Sequence, residues 1–301
     1  MSRPIIVVTG ATGLVGGNVA RELRRTGVRL AALVRDRARA EELLGAEIEL
    51  RVGDYERPET LDAAFDGADR VFLCSPLGPR LAELEGNAID AALRAGVRHV
   101  VKLSTAGVTQ STAAPATPRQ YPLHRAAEQR LERSGIAFTH LRPGPFMQNT
   151  LNFAPSIAAE GIFRGAWGQG AMGYIDVRDV ASAAARILTG EGHEGRAYEL
   201  TGPQALAPTD IARQLSAALG REVEYQDVPP EAVRQAMLAR GMTEWFAGAM
   251  VEVMQHTRTG AAARITQAIL ELTGRPPRSY VEFAHEFAHT FLNPERLRTR
   301  D

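Results

Sequence analysis

Residues 5–17 read IIVVTGATGLVGG, an apolar run followed by three glycines, Gly10, Gly13 and Gly16, with the spacing GxxGxxG. The apolar run is typical of a buried strand, and a helical pattern begins after it, so the glycines fall in the turn between strand and helix. Glycine at such a turn permits strained dihedrals, lets backbone amides approach a ligand and allows close helix–strand packing. The stretch therefore predicts a strand–turn–helix unit whose helix N-terminus faces a phosphate.

Outward from this unit, short apolar runs alternate with amphipathic segments, which is typical of repeated βαβ units. The runs predict six strands, at Ile5–Val8, Leu30–Val34, Ile48–Val52, Arg70–Cys74, His99–Leu103 and Phe138–Leu141. Helical spacing predicts four helices between them, at Gly16–Arg25, Pro58–Phe65, Leu81–Ala95 and Leu123–Arg133. The strand runs show little polar alternation, as expected where helices cover both faces of a sheet. The predicted fold is α/β, a doubly wound parallel sheet of the Rossmann type.

After Arg142 the pattern changes to a Pro/Gly-rich stretch, PGPFMQN, and later segments are mostly helical. Further strands are predicted at Gly173–Val177, Ala197–Thr201 and Glu222–Asp227. We expect a nucleotide-binding domain over residues 1–145, to which residues 173–200 return, and a smaller, mostly helical substrate lobe over residues 146–301. Ser111–Pro118 is predicted to be a mobile loop.

Composition narrows the possible functions. The 301 residues are 45% hydrophobic, enough for a large core, and 35 basic residues balance 35 acidic ones. A chain without net charge is not drawn to nucleic acid or to an anionic membrane, so we expect a small-molecule substrate. A single cysteine, Cys74, and a strand-like N-terminus without a signal peptide favour a cytoplasmic protein. No apolar run reaches the roughly 18–20 residues that span a bilayer.

The first half of the chain supplies the residues predicted to hold a dinucleotide. Arg35 follows the second strand, where an NAD-specific protein carries an acidic residue, so the predicted cofactor is NADP(H) with its 2′-phosphate on this arginine. Asp54 follows the third strand and either accepts a hydrogen bond from adenine or is a helix N-cap. Ser75 is expected beside the nicotinamide ribose or the pyrophosphate. The turn itself contributes the backbone of Gly10, Thr12, Gly13, Leu14, Val15 and Gly16.

Several segments together resemble one family. They are TGATGLVGG, GDYERPETL, KLSTAGV, SGIAFTHLRPGPFMQN, DVRDVA and LTGRPPRSYVEFAHEF, with the pair His124-xxx-Glu128 between them. Over nearly the whole chain they resemble the NmrA-like family of atypical short-chain dehydrogenases. The resemblance implies either an NAD(P)H-dependent quinone or carbonyl reductase or a redox-sensing protein that binds the cofactor without consuming it.

The resemblance also indicates where a catalytic tyrosine and lysine would stand. Aligned on Glu128, the lysine position holds His124 and the tyrosine position holds Gln120, so the usual acid is missing. Tyr121 stands one residue away and is a second candidate acid. A histidine with its unperturbed pKa near 6.5 both gives and takes a proton near neutral pH, which favours His124 as the proton carrier; the alternatives are a ribose contact or no role.

The remaining candidates lie at the ends of later strands. Thr105, with Ser104 as the alternative, is placed to polarise a carbonyl after the fifth strand. Lys102 in the same strand is expected either as a charge near the cofactor or as a surface residue with a snorkelling side chain. Pro143 in PGPFMQN is expected beside the cofactor. Phe146 and Asn149 follow the sixth strand and are expected to contact the substrate.

The predicted function is hydride transfer from NADPH to a quinone or a related conjugated carbonyl. The alternatives are a non-catalytic NADP(H) sensor that signals to a protein partner, and a tailoring reductase that acts on a polycyclic metabolite. A homodimer is compatible with each. The stretch His285–His289 matches HExxH, but Tyr280, Phe283, Phe287 and Phe291 give the same helix a packing stripe, so no metal is expected.

Overall fold

The computed structural model describes residues 5–45, 47–109 and 117–297. Its main feature is a seven-stranded sheet in the order β3-β2-β1-β4-β5-β6-β8, in which every neighbouring pair is parallel. A second sheet pairs β7 with β9. The strands are β1 Ile5–Val8, β2 Arg29–Val34, β3 Glu49–Val52, β4 Ala68–Leu73, β5 His99–Leu103, β6 Ala137–Pro143, β7 Ile162–Gly165, β8 Arg196–Leu200 and β9 Glu224–Asp227.

Helices connect the strands. The α-helices are α1 Leu14–Arg25, α2 Arg37–Leu44, α3 Leu61–Phe65, α4 Leu81–Arg94, α5 Gln120–Arg133, α6 Ala154–Glu160, α7 Val177–Thr189, α8 Pro208–Leu219, α9 Pro230–Ala239, α10 Glu244–Arg258, α11 Ala268–Thr273, α12 Tyr280–Glu286 and α13 Ala288–Leu292. Short 3-10 helices lie at Pro58–Thr60, Met147–Phe153 and Pro294–Leu297.

Helices cover the large sheet on both faces, which explains the unbroken apolar runs of its strands. One core joins the sheet to α1, α2, α7 and α11, and the other joins it to α3, α4 and α5. The strand order reverses between β1 and β4, and the crevice in which such sheets bind ligands is expected at this point, outside the carboxyl ends of the strands. The predicted doubly wound Rossmann architecture is confirmed.

The C-terminal part is smaller and mostly helical, as predicted, with a core of its own around Phe163, Tyr174, Ile211, Tyr280 and Phe283. The strand prediction differs from the structure here in one missed strand and one strand that does not form. The prediction missed β7, a four-residue strand whose partner, β9, lies about sixty residues away in the chain.

The strand predicted at Gly173–Val177 is absent from the described structure. Only Ile175 makes a bridge there, to Phe146, and the Asp176 carboxylate caps α7 by accepting from the Arg178 N–H. The apolar residues of this segment close a loop and begin a helix instead of pairing along a sheet.

Residues after this loop pack on the large sheet. Helix α7 lies against α1, and β8 pairs with β6 at the sheet edge. The Arg70 guanidinium on β4 donates to the carbonyls of Ile187 and Leu188 at the end of α7, at 3.2 and 3.0 Å. The division of the chain at residues 145 and 146 into two domains stays a prediction.

Of the loop predicted at Ser111–Pro118, residues 111–116 lie outside the described residues. Within the described ranges, no helix has both the length and the apolar composition that crossing a membrane requires.

Two buried histidines lie in neighbouring strands of the sheet. The His99 Nε2 lies 2.9 Å from the Thr139 Oγ1, and that hydroxyl donates to the His193 carbonyl at 2.6 Å, so His99 must donate through Nε2. Its Nδ1 is buried and has no hydrogen-bond partner within the described ranges of the chain. Burial, with the Arg70 charge, lowers the pKa of His99 to about 4, and burial likewise lowers the pKa of His140 to about 4. Both rings are therefore neutral in the folded protein.

We expect the folded state to lose stability as the pH falls from about 6.5 to about 4. In that window the unfolded chain takes up protons at these histidines and the folded chain does not. Each site should therefore lower the free energy of unfolding by up to roughly 3 kcal/mol. Urea unfolding of the His99→Gln variant, which keeps an amide donor, should show a smaller loss between pH 7 and pH 4.5. His285→Gln, at an exposed histidine, is the control. If stability depends on pH equally in both variants and the parent, the buried neutral state of His99 would be contradicted.

Candidate active site

The glycine turn joins β1 to α1 at the crevice. Gly10 has φ +62°, in the left-handed region, and a Cβ there would lie 3.2 Å from the Cys74 carbonyl oxygen. A Cβ on Gly16 would lie 2.3 Å from the Gly10 carbonyl oxygen, a distance that no side chain tolerates. The close helix–turn contact therefore requires glycine at position 16.

The N-terminus of α1 is open. Its N-cap, Gly13, has no side-chain cap, and Thr12, Gly13 and Leu14 are exposed. The N–H groups of the first helical turn have no acceptors inside the helix, and together with the helix dipole they favour an anion. A pyrophosphate fits this cradle, which Val15 supports from the buried side.

Arg35 lies directly after β2, at the same edge of the sheet. It is exposed, and no ion-pair partner for it is found in the described part of the chain. By contrast, the neighbouring Arg37 donates to the Leu50 carbonyl at 2.9 Å and lies 3.7 Å from Glu41. The Arg35 guanidinium is thus available for an anionic ligand such as a 2′-phosphate.

Asp54 follows β3. Its carboxylate accepts from the Glu56 N–H at 3.0 Å, and its backbone N–H donates to the Thr60 hydroxyl at 2.9 Å. The N-cap of the 3-10 helix that follows is Arg57, so the N-cap interpretation of Asp54 was wrong. Asp54 closes a turn, and the adenine contact stays a prediction.

A buried polar network is formed by four segments of the chain. The Ser75 hydroxyl after β4 donates to the Glu85 Oε1 at 2.9 Å, and the Lys102 Nζ of β5 forms an ion pair with the Glu85 Oε2 at 2.9 Å. Both charged side chains are completely or almost completely buried. The Lys102 Nζ also donates to the Leu103 carbonyl at 3.0 Å and lies 3.4 Å from the His124 Nδ1.

This network changes the pKa of the His124 imidazole. Burial of the ring, with the positive charge of Lys102, lowers the pKa of His124 to about 3, against a smaller opposite effect of Glu128. The expectation that His124 keeps a pKa near 6.5 was therefore wrong. Near neutral pH the imidazole is uncharged, so it can donate a hydrogen bond through one ring nitrogen and accept one through the other.

Tyr121 and Gln120 lie in the first turn of α5, which begins three residues earlier than predicted. The Tyr121 ring packs over Gly107 and makes an edge contact with His256 of α10, at 5.6 Å between ring centroids. Burial raises the pKa of Tyr121 to about 12. The Gln120 Oε1 is buried, and none of the described residues offers it a hydrogen bond. The phenol stands between the sheet and the lobe, and its role as an acid stays a prediction.

The candidate residues at the ends of β5 and β6, Ser104, Thr105 and Pro143, lie in neighbouring segments. The Ala106 N–H donates to the Pro143 carbonyl at 2.9 Å, which prolongs the pairing of the two strands into their loops. Thr105 is half-buried, and among the described residues the contact found for its hydroxyl is a long one of 3.4 Å to the Ala106 carbonyl, whereas Ser104 is buried. Thr105 is therefore the more accessible hydroxyl.

The two substrate candidates differ in exposure. Phe146 is half-buried, packs against the core and forms a bridge with Ile175, whereas Asn149 is exposed at the start of the 3-10 helix. Their contacts with a substrate stay predictions.

Glu128 is fully buried and bound by two guanidinium groups. Arg142 donates to both of its oxygens at 2.9 and 2.7 Å, and Arg125 donates at 3.0 Å. Burial opposes ionisation, but these contacts lower the pKa of Glu128 to about 2. Glu128, Glu132 and His140 have ligand atoms within 4.8 Å of one another, yet both carboxylates already accept from arginine, so the group serves as an ion-pair network.

The HExxH stretch does not form one continuous helix. It is broken at Phe287 between α12 and α13, which separates His285 from His289. The Glu286 carboxylate accepts from Arg178 at 2.7 and 2.8 Å. The predicted packing stripe is present, with Phe283 in contact with Phe287 and Phe291.

Sequence reasoning missed Glu85. The signal was available, because Leu81, Glu85, Ala88, Ile89 and Ala92 recur at helical spacing and are all buried. A carboxylate within an apolar stripe requires a buried partner, and a lysine within an apolar strand requires one as well.

Together, the sheet order and the glycine turn define a Rossmann-type protein with a ligand crevice at its switch point. The chain belongs to the NmrA-like family, whose model matches residues 2–284. This confirms the resemblance seen in the sequence.

Three relatives are similar over nearly their full lengths. The chain is 40% identical to an NAD(P)H azoreductase of Xenophilus azovorans, and the alignment covers 95% of this chain and 99% of that protein. It is 38% identical to a (4-alkanoyl-5-oxo-2,5-dihydrofuran-3-yl)methyl phosphate reductase of Streptomyces griseus, with the same coverage. The structure of an NADPH-dependent quinone oxidoreductase of Escherichia coli in complex with NADPH matches with a TM-score of 0.85 at 30% identity, covering 94% of this chain and 99% of that one.

We expect Gly16→Ala and Gly13→Ala to differ in their effects on stability. The added methyl at position 16 must push α1 away from the turn, which should cost roughly 1–3 kcal/mol of unfolding free energy. At position 13 the nearest atom would be 3.3 Å away and the site is exposed, so the loss should stay below about 1 kcal/mol. Urea unfolding without ligand measures both, and equal losses would mean that the close contact at Gly16 does not restrain the turn.

Proposed function

We propose that this chain is an NADPH-dependent reductase that transfers hydride to a quinone or a related conjugated acceptor. The observation that carries the proposal is the chain-long similarity to three reductases, two of them at 38% and 40% identity. Their names share a conjugated acceptor: an azo compound, an unsaturated lactone and a quinone. These relatives support the oxidoreductase class, and the identity of the acceptor is our proposal.

The residues of the crevice fit NADP(H). The uncapped N-terminus of α1 suits the pyrophosphate, the Gly10–Gly16 contact keeps side chains out of the turn, and the unpaired Arg35 suits the 2′-phosphate. Such a contact between arginine and phosphate is charge-assisted and bidentate. When bound, the reduced nicotinamide supplies a hydride, while the protein supplies binding and orientation.

The polar groups at the sheet edge suit an acceptor that needs little acid catalysis. His124 is uncharged near neutral pH, and position 120 holds glutamine in place of tyrosine. Reduction of a quinone by one hydride places negative charge on a delocalised oxyanion, which a neutral imidazole N–H or Thr105 can stabilise by hydrogen bonding. The proton that completes the hydroquinone then comes from solvent.

The activity is tested by mixing the purified protein with NADPH and a panel of quinones, azo dyes and simple ketones. We expect the absorbance of reduced nicotinamide to fall faster than without protein for the conjugated acceptors, and not for simple ketones, whose alkoxide needs a stronger acid. Tight NADPH binding without consumption across the panel would overturn the proposal in favour of a sensor.

The cofactor assignment predicts a selective effect of Arg35→Asp. Loss of the phosphate contact should weaken NADPH binding by about ten- to a hundredfold and leave NADH binding nearly unchanged. Titration of nicotinamide fluorescence measures both affinities. Arg133→Asp, at the exposed C-terminal end of α5, makes the same charge change at the opposite edge of the sheet and serves as the control. Equal losses for the two cofactors would place the 2′-phosphate elsewhere.

A further inference from the structure

The ion pair of Lys102 and Glu85 lies at the centre of the molecule, between β5 and α4. Lys102 is 0% exposed and Glu85 is 1% exposed. Removing two charges from water is costly, and a well-packed apolar pair in such a place is often as stable or more stable. The pair therefore calls for a role other than stability.

The surroundings of the lysine indicate that role. Its Nζ is held by Glu85 at 2.9 Å and by the Leu103 carbonyl at 3.0 Å, and Glu85 is held in turn by Ser75. The remaining contact, at 3.4 Å, is to the His124 Nδ1. An ammonium group only donates hydrogen bonds, so Nδ1 must be the acceptor in this contact.

This fixes the tautomer of the histidine. A neutral imidazole whose Nδ1 accepts carries its proton on Nε2, and the two nitrogens point in diverging directions. With Nδ1 facing the buried lysine, Nε2 points away from the ion pair. His124 is half-buried, so the residue keeps some contact with solvent.

We propose that Lys102, anchored by Glu85, is a positioning residue that holds His124 as the neutral Nε2–H tautomer and so presents a hydrogen-bond donor to the acceptor oxygen. The proposal rests on the proposed function for the identity of that oxygen. It assigns no proton transfer to Lys102 itself, whose side chain has no exposed surface.

The charges around His124 agree with this role. Lys102 on β5 opposes protonation of the ring, while Glu128 on α5 favours it. Glu128 is neutralised by Arg142 and Arg125, so the lysine has the larger effect. The low pKa of His124 follows from burial and Lys102 together and keeps the ring uncharged at the pH of most cells.

The first test reads the tautomer directly, on the full-length protein with NADPH added. Nitrogen-15 NMR of the imidazole groups, with His124 assigned by its loss in His124→Ala, should show an Nε2–H tautomer at neutral pH. In the double variant Lys102→Met/Glu85→Gln, which leaves no unpaired buried charge, the ring should become a mixture of tautomers. An Nδ1–H or imidazolium form in the parent, or an unchanged spectrum in the double variant, would overturn the proposal.

The second test is a mutant cycle on turnover with one accepted quinone. Lys102→Met/Glu85→Gln should lower kcat by about ten- to a hundredfold when His124 is present, and by less than about threefold in the His124→Ala background. Equal losses in both backgrounds would mean that the pair acts on the fold rather than through His124. Arg130→Gln/Asp90→Asn, which neutralises an exposed ion pair between α5 and α4, is the control and should change neither readout.

The two tests separate this inference from the proposed function. The tautomer can be measured whether or not the protein reduces any acceptor. An Nε2–H tautomer that depends on Lys102, in a protein that consumes no NADPH, would uphold the positioning of His124 and reject the reductase.

Discussion

The contact between Gly16 and the Gly10 carbonyl determines how close the first helix lies to the sheet. With this spacing, Val15, Val19 and Leu23 of α1 enter the same core as the residues of α7. The same approach directs the uncapped start of α1 at the point where the strand order reverses. A side chain at position 16 would displace the helix and change the core, the crevice and the anion cradle together.

The sequence predicted the six leading strands to within two residues at each end. Prediction works there because parallel strands buried on both faces appear as unbroken apolar runs, and because glycines mark the helix ends. It fails at Gly173–Val177, where a loop buries Tyr174 in the core of the lobe and Ile175 in a core of the large sheet. Periodicity cannot distinguish that kind of burial from a strand.

The residues of the candidate site also include some that the sequence predicts and others that only the fold reveals. The glycine turn and Arg35 are readable because their function depends on local backbone geometry and a fixed distance along the chain. The network of Ser75, Glu85, Lys102 and His124 joins four segments that only the fold brings together. For that reason the reference pKa of a histidine was a poor guide to His124, since burial and a lysine 22 residues earlier set its charge.

The last strand of the large sheet, β8, comes from residues 196–200, after the chain has already left the sheet to form the loop and β7. During synthesis on the ribosome β6 must wait as an open edge until β8 emerges, and an unpaired edge offers its N–H and C=O groups to any other extended chain. Truncation before Leu200, or slow translation of the intervening segment, would therefore expose the nascent protein to aggregation through β6.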